Sequence, residues 1–89
     1  TTATVTARSG IRFTVRILRI EGTGPLVEFF DTRYPHTEHG QFVSRYAVDT
    51  IIDSVGGLDL MGYEPSWKVD APAMDVIRQW LRHEQEAAR

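Results

Sequence analysis

Between Ile11 and Ile17 the chain alternates strictly: Ile11, Phe13, Val15 and Ile17 are separated by Arg12, Thr14 and Arg16. A two-residue period marks a strand with one face in a core and the other toward water. At Ile17–Leu18 the phase slips, and Leu18 and Ile20 become the apolar positions around Arg19. A slip of one residue turns side chains to the opposite face, so a bulge, or a strand end buried on both faces, is expected there. The run Leu26–Phe30 returns after Glu21-Gly22-Thr23-Gly24-Pro25, a stretch with loop chemistry, and carries the same ambiguity at Phe29–Phe30. The segment Ile11–Tyr34 therefore reads as a long hairpin.

Thr1–Ala7 alternates threonine with alanine and valine, which suits another strand. A two-residue turn at Ser9-Gly10 would set Val5 against Thr14. A three-residue loop, Arg8-Ser9-Gly10, pairs Ala7 with Ile11, Val5 with Phe13 and Ala3 with Val15, keeping the apolar residues on one face. It also puts Gly10 where a type I turn with a bulge requires left-handed backbone. The longer loop is preferred, giving an antiparallel meander with Thr1–Ala7 at an exposed edge.

Pro35–Gly40 (PHTEHG) reads as a loop, and Gln41–Val55 as a helix. In that helix Phe42, Val43, Tyr46, Ala47, Ile51 and Val55 form one broad face, and Arg45, Asp49 and Asp53 line the other, with Arg45 and Asp49 spaced to pair. Gly56-Gly57 is the stop. Leu58-Asp59-Leu60 and Trp67-Lys68-Val69 read as short extended pieces around a turn-rich Gly62–Ser66. Asp70 is a good N-cap and Pro72 fits the first turn of a last helix. In that helix Met74, Ile77, Trp80 and Leu81 make the apolar stripe, opposed by Asp75, Arg78, Gln79, Arg82 and His83, and the polar tail Glu84–Arg89 frays. The expected fold is one α+β domain over residues 1–89. It comprises a three-stranded antiparallel meander, a helix, a short extended segment that can add a fourth strand, and a C-terminal helix, with both helices on one sheet face.

Composition narrows the function classes. At 89 residues and 42% hydrophobic content, the chain supports one modest core. The absence of cysteine excludes disulfides and thiolate metal sites and suits a reducing cytoplasm. No apolar run approaches the roughly 20 residues needed to span a membrane, and no signal-peptide pattern is visible, so neither membrane contact nor export is expected. A net charge of -2 and a pI near 5.8 argue against general phosphate binding, although the distribution of charge matters more than its sum.

Candidate chemistry is sparse. His36, Glu38 and His39, with Asp31 upstream, have metal-ligating side chains, but their spacing fits no zinc signature. Helix capping by Thr37 or His39 is the simpler use, and no metal or other cofactor is expected. Ser44, Ser54 and His83 lack the context of a nucleophile or base, and the glycines match no phosphate loop, so a non-enzymatic role is expected.

Two segments carry binding chemistry. Arg8, Arg12 and Arg16, with Thr14, share the polar face of the hairpin and could contact a nucleic-acid backbone, with Glu21 and Glu28 partly neutralising them. Leu58-Asp59-Leu60-Met61 resembles the peptide by which bacterial replication proteins dock on the sliding clamp, with Gly57 in place of its glutamine and Met61 in place of its phenylalanine. The competing use is a core strand, in which Leu58 and Leu60 point inward and Asp59 outward.

From Phe29 through Leu81 the chain resembles small proteins encoded by phages of actinobacteria, mycobacteriophages in particular. The resemblance is carried by HGQFVSRY, GGLDL and the P-x-W-x-V pattern of Pro65, Trp67 and Val69. It implies a phage protein acting in the host cytoplasm, and it assigns no catalytic residue. The leading expectation is binding to a host protein, such as a replication factor, through Leu58, Asp59, Leu60 and Met61 or through an edge strand. The alternative is nucleic-acid binding through the arginines, and a homodimer joined at the first strand is compatible with either.

Overall fold

The computed structural model describes residues 1–60 and 66–88. The alternation read from the sequence forms β1 (Thr2–Thr6), β2 (Arg12–Leu18) and β3 (Leu26–Asp31), and a fourth strand, β4 (Gln41–Ala47), completes an antiparallel sheet in the order β1-β2-β3-β4. After β4 come α1 (Val48–Asp53), the short pair β5 (Leu58–Asp59) and β6 (Lys68–Val69), and α2 (Ala71–Ala87). The fold is α+β, with α2 packed on the sheet.

The first turn follows the longer-loop register. Val5 stands opposite Phe13 and Ala3 opposite Val15. Ala7 N–H donates to the Ile11 carbonyl at 2.9 Å, and Gly10, at φ 93°, donates to the Ala7 carbonyl at 2.9 Å. Burial of Val5, Ala7, Ile11, Phe13 and Val15 on one face selects this register, because the shorter turn would oppose Val5 with threonine.

The helix expected over Gln41–Val55 is corrected: its first half is β4, and only Val48–Asp53 is helical. The sheet accordingly has four strands, not three. The pairing of β3 with β4 shifts between Phe29, opposite Ser44, and Phe30, opposite Phe42. Val43 is the extra residue of this bulge, and both Val43 and Ser44 are buried. One inserted residue breaks a two-residue period and leaves Val43 and Tyr46 three apart, a spacing that imitates a helix. The β-branched and aromatic content of QFVSRYA then favours the strand.

The bulge expected at Ile17–Leu18 does not occur, since β2 and β3 pair without interruption from Phe13–Asp31 to Leu18–Leu26. Leu18 lies half-buried on the outer face of the sheet. The loop before β4 closes on itself and caps no helix. Thr37 Oγ1 donates to the Gly40 carbonyl at 2.7 Å and accepts from His39 N–H at 3.1 Å. Gly40, at φ 116°, passes so close to the Asp31 carbonyl that a Cβ there would collide with it.

The core lies between the inner sheet face and the helices. It joins Phe13, Val15, Val27 and Phe29 to Val48 and Ile51 of α1 and to Met74, Ile77 and Leu81 of α2. Trp80 is only half-buried against it. Arg78, expected on the solvent side, is 3% exposed. Its guanidinium donates to the Gly56 carbonyl, to Ser54 Oγ at 3.2 Å and to Asp75 Oδ1 at 2.7 Å, tying the end of α1 to α2. Asp70 stands at the N-cap of α2 and Pro72 in its first turn. The Asp70 carboxylate, however, accepts from the Arg8 N–H at 2.5 Å, fastening the β1–β2 turn to the start of α2. That hydrogen bond leads the contacts that hold the Asp70 carboxyl below its ordinary range.

Candidate functional site

With α1 and α2 on the inner face, no described helix covers the outer face of the sheet, and strand alternation brings Arg12, Thr14 and Arg16 of β2 onto it. Pairing adds Glu28 and Phe30 from β3, and Phe42 and Arg45 from β4. At its centre Glu28, almost fully buried, receives both arginines. Arg16 donates from Nε at 2.9 Å and from Nη2 at 2.5 Å to Oε1, and Arg45 donates from Nε at 3.2 Å and from Nη2 at 2.8 Å to Oε2. Burial alone would raise the Glu28 carboxyl, but the two guanidiniums outweigh it and hold the group below its ordinary value.

Aromatic rings complete this face. Phe30 is covered by the Arg16 guanidinium at 5.5 Å, by the His39 ring at 5.2 Å and by Phe42 edge-on at 5.9 Å. Phe42 is 44% exposed, with the Arg45 guanidinium 5.6 Å from its centroid. The fold thus gathers Arg12 and Arg16 with Arg45. Arg8 is set apart from them, lining clefts beside β6 and the start of α2. Arg45, Phe30 and Phe42 are not legible in the sequence as one site, because the helical spacing of Gln41–Ala47 pairs Arg45 with Asp49. Reading the aromatic and β-branched residues of that stretch as a strand would have set Arg45 opposite Glu28.

The Leu58–Met61 segment divides. Leu58 is half-buried against the core, Asp59 is exposed, and Leu60 is 3% exposed inside the core, its N–H donating to the Trp67 carbonyl at 2.9 Å. Met61 lies outside the described residues. This is the alternation of a core strand, and it removes Leu60 from the surface a partner could reach. Leu58 and Asp59, with Arg8, Lys68 and Val69, line a cleft of about 650 Å³.

The other notable surface is the free edge of β1. Ala7 N–H bonds to Ile11, and Ile17 N–H bonds to the Thr1 carbonyl at 3.4 Å. By ladder alternation the N–H and C=O groups of Thr2, Thr4 and Thr6 therefore point away from β2. Beside this edge runs an open groove of about 710 Å³ lined by Thr4, Val5, Thr6, Pro72, Ala73 and Val76. Val76 is 58% exposed.

Asp31, Glu38 and His39 do not converge on a common point. Asp31 is buried on the inner side, where Arg33 and Trp67 bind it, while His39 lies on Phe30 and contacts the exposed Glu38 at 3.4 Å. Among the described residues, no group of three His, Cys, Asp or Glu side chains is placed to hold a metal ion. No helix among them is long and apolar enough to cross a membrane. Compared with known proteins, the chain matches no family model, no curated protein and no solved structure.

Proposed function

We propose that the protein is a non-enzymatic binding module that takes an extended segment of a host bacterial protein as an added strand on β1. The observation that carries this reading is the unprotected edge. Sheet edges in monomeric proteins are usually blunted by lysine, proline, a bulge or a covering element. Thr2–Thr6 has none of the first three, and among the described residues its outward backbone groups have no hydrogen-bond partner. Main-chain hydrogen bonds would supply affinity, and alternate side chains of the added strand would enter the groove between Val5 and Val76, supplying specificity. The resemblance of Phe29–Leu81 to small phage proteins supports a partner from the infected cell, and hence action in the host cytoplasm. With Leu60 in the core, β1 is a better docking element than Leu58–Met61, and a sliding-clamp partner loses its particular support.

Thr4→Pro tests the proposal. The Thr4 N–H points away from β2, so proline removes a donor from the free edge without removing one from the β1–β2 ladder. The expected result is a folded variant, melting close to the parent, that no longer captures a nuclease-resistant protein partner from an actinobacterial lysate. A partner retained by folded Thr4→Pro would overturn the reading. So would light scattering that shows a homodimer of the parent dissolved by the same change, because the edge would then serve a second copy of the chain.

A further inference from the structure

The helix side of this molecule mixes charges: Asp49, Asp53 and Glu86 are exposed there with Arg82, and Asp75 is paired with the buried Arg78. The outer sheet face carries Arg12, Arg16 and Arg45 against Glu28, which is buried and bound by two of them, and against the exposed Glu38, which lies 3.4 Å from His39 over Phe30. Among the described residues the Arg12 guanidinium has neither an ion-pair nor a hydrogen-bond partner. In a chain of net charge -2, this face thus gathers three arginines against two carboxylates.

This face is also aromatic, and two of its arginines are tethered to one carboxylate. Glu28 holds Arg16 and Arg45 by their Nε and Nη2 atoms, so both guanidiniums are fixed in orientation while their remaining N–H groups stay available. Arg45 is stacked near Phe42, whose ring is partly open to solvent. We propose that this face binds single-stranded nucleic acid, with phosphates on Arg12 and on the free N–H groups of Arg16 and Arg45, and a base extending the Phe42–Arg45 stack. A sheet face bearing an exposed ring beside positive charge suits an unstacked base. A duplex keeps its bases inside and offers only phosphate, and an acidic peptide offers charge without a ring. The site is separate from the β1 edge, so either proposal can fail alone.

The test uses the full chain and fluorescence anisotropy with labelled oligothymidylate and oligouridylate of about a dozen nucleotides, long enough for one such platform. Binding is expected at low salt. Contact with about three phosphates of a single strand predicts roughly 20-fold weakening between about 50 and 200 mM salt. Arg12→Gln, at an exposed position, should make that salt dependence shallower by about one contact. Phe42→Leu keeps apolar cover over Phe30 but removes the stacking ring, and should weaken binding roughly 5- to 100-fold with the melting temperature as the folding control. Comparison of the two oligonucleotides assigns the preferred sugar. The proposal is overturned by no anisotropy change at low salt with protein at about 100 μM, a non-specific affinity limit. It is equally overturned by unchanged binding of folded Phe42→Leu, or by a duplex or polyglutamate competing as well as the single strand.

Discussion

The indole N–H of Trp67 donates to Oδ2 of Asp31 at 2.8 Å, a hydrogen bond in the protein interior between the entry to β6 and the end of β3. Asp31 is fully buried, and Arg33 completes its shell, donating from its backbone N–H at 2.9 Å and from Nη2 at 2.8 Å. The β5–β6 pair is thereby fixed to the central sheet by a polar anchor as well as by the packing of Leu60, Trp67 and Val69. Trp67→Phe keeps most of the apolar volume and removes the donor. The expected loss is about 1.5–3 kcal/mol, the range for a hydrogen bond to a charged group, measured by urea denaturation. A loss below about 0.5 kcal/mol would mean that Arg33 alone satisfies the carboxylate.

Acid should destabilise the protein through Glu28 and Asp31. For each, burial pushes the carboxyl up. The guanidiniums of Arg45 and Arg16 for Glu28, and Arg33 with the Trp67 indole for Asp31, more than reverse it. Both groups therefore bind protons less readily folded than unfolded. Their contribution is complete above the ordinary values of 4.5 and 3.8, and it is lost as pH falls through and below them. Urea midpoints should be flat with respect to these groups from pH 7 toward 5.5 and should fall below about 4.5. Glu28→Gln should be less stable at neutral pH and show a shallower acid limb, and an unchanged limb would refute the assignment to Glu28.

Leu60 and Asp59 separate the core strand from a docking peptide. Leu60→Ser places a hydroxyl and a void in the core and should cost at least about 2–5 kcal/mol, the range for truncating a buried leucine. Asp59→Ala, at the outward position of the alternation, should cost less than Leu60→Ser because it removes no core volume. A Leu60→Ser protein that melts like the parent would show that Leu60 is not held in the core.

Arg78→Met tests the buried arginine of α2. Methionine fills part of the space but leaves the Gly56 carbonyl and Ser54 Oγ without their charged donor. The expected loss is about 1–3 kcal/mol in chemical denaturation, with faster amide exchange at Ser54–Gly57 than elsewhere in the chain. Uniform exchange changes would argue against a local tie between α1 and α2.

How much of this structure was legible depends on how far apart the deciding residues are. The β1–β2 register could be read because everything that sets it lies within Thr1–Ile17: a three-residue loop, a glycine for the left-handed position, and one alternation on each side. The apolar stripe of α2 was equally local, with Met74, Ile77 and Leu81 recurring at helical spacing behind Asp70 and Pro72. The cluster of arginines was legible in part, since Arg12 and Arg16 share one strand face by alternation alone.

β4 was not legible. Its bulge at Val43 exists only against β3, and without that partner the spacing of Phe42, Val43, Tyr46 and Ala47 satisfies a helix as well as a strand. Edge-strand pairing and burial of Val43 and Ser44 decide between the two periods, and both are tertiary events. The same event moves Arg45 from a local pairing with Asp49 to Glu28, seventeen residues upstream. Arg78 followed the same logic. Its place on the helix suggests solvent, and only the docking of α1, which brings the Gly56 carbonyl and Ser54 Oγ to it, makes burial of its charge tolerable. The local sequence thus determined the first hairpin and the last helix, where short-range periodicity and turn chemistry agree. Tertiary contacts decided the fourth strand and the Arg16–Glu28–Arg45 cluster, because a charge or a bulge is stabilised by whichever partner the folded chain brings beside it.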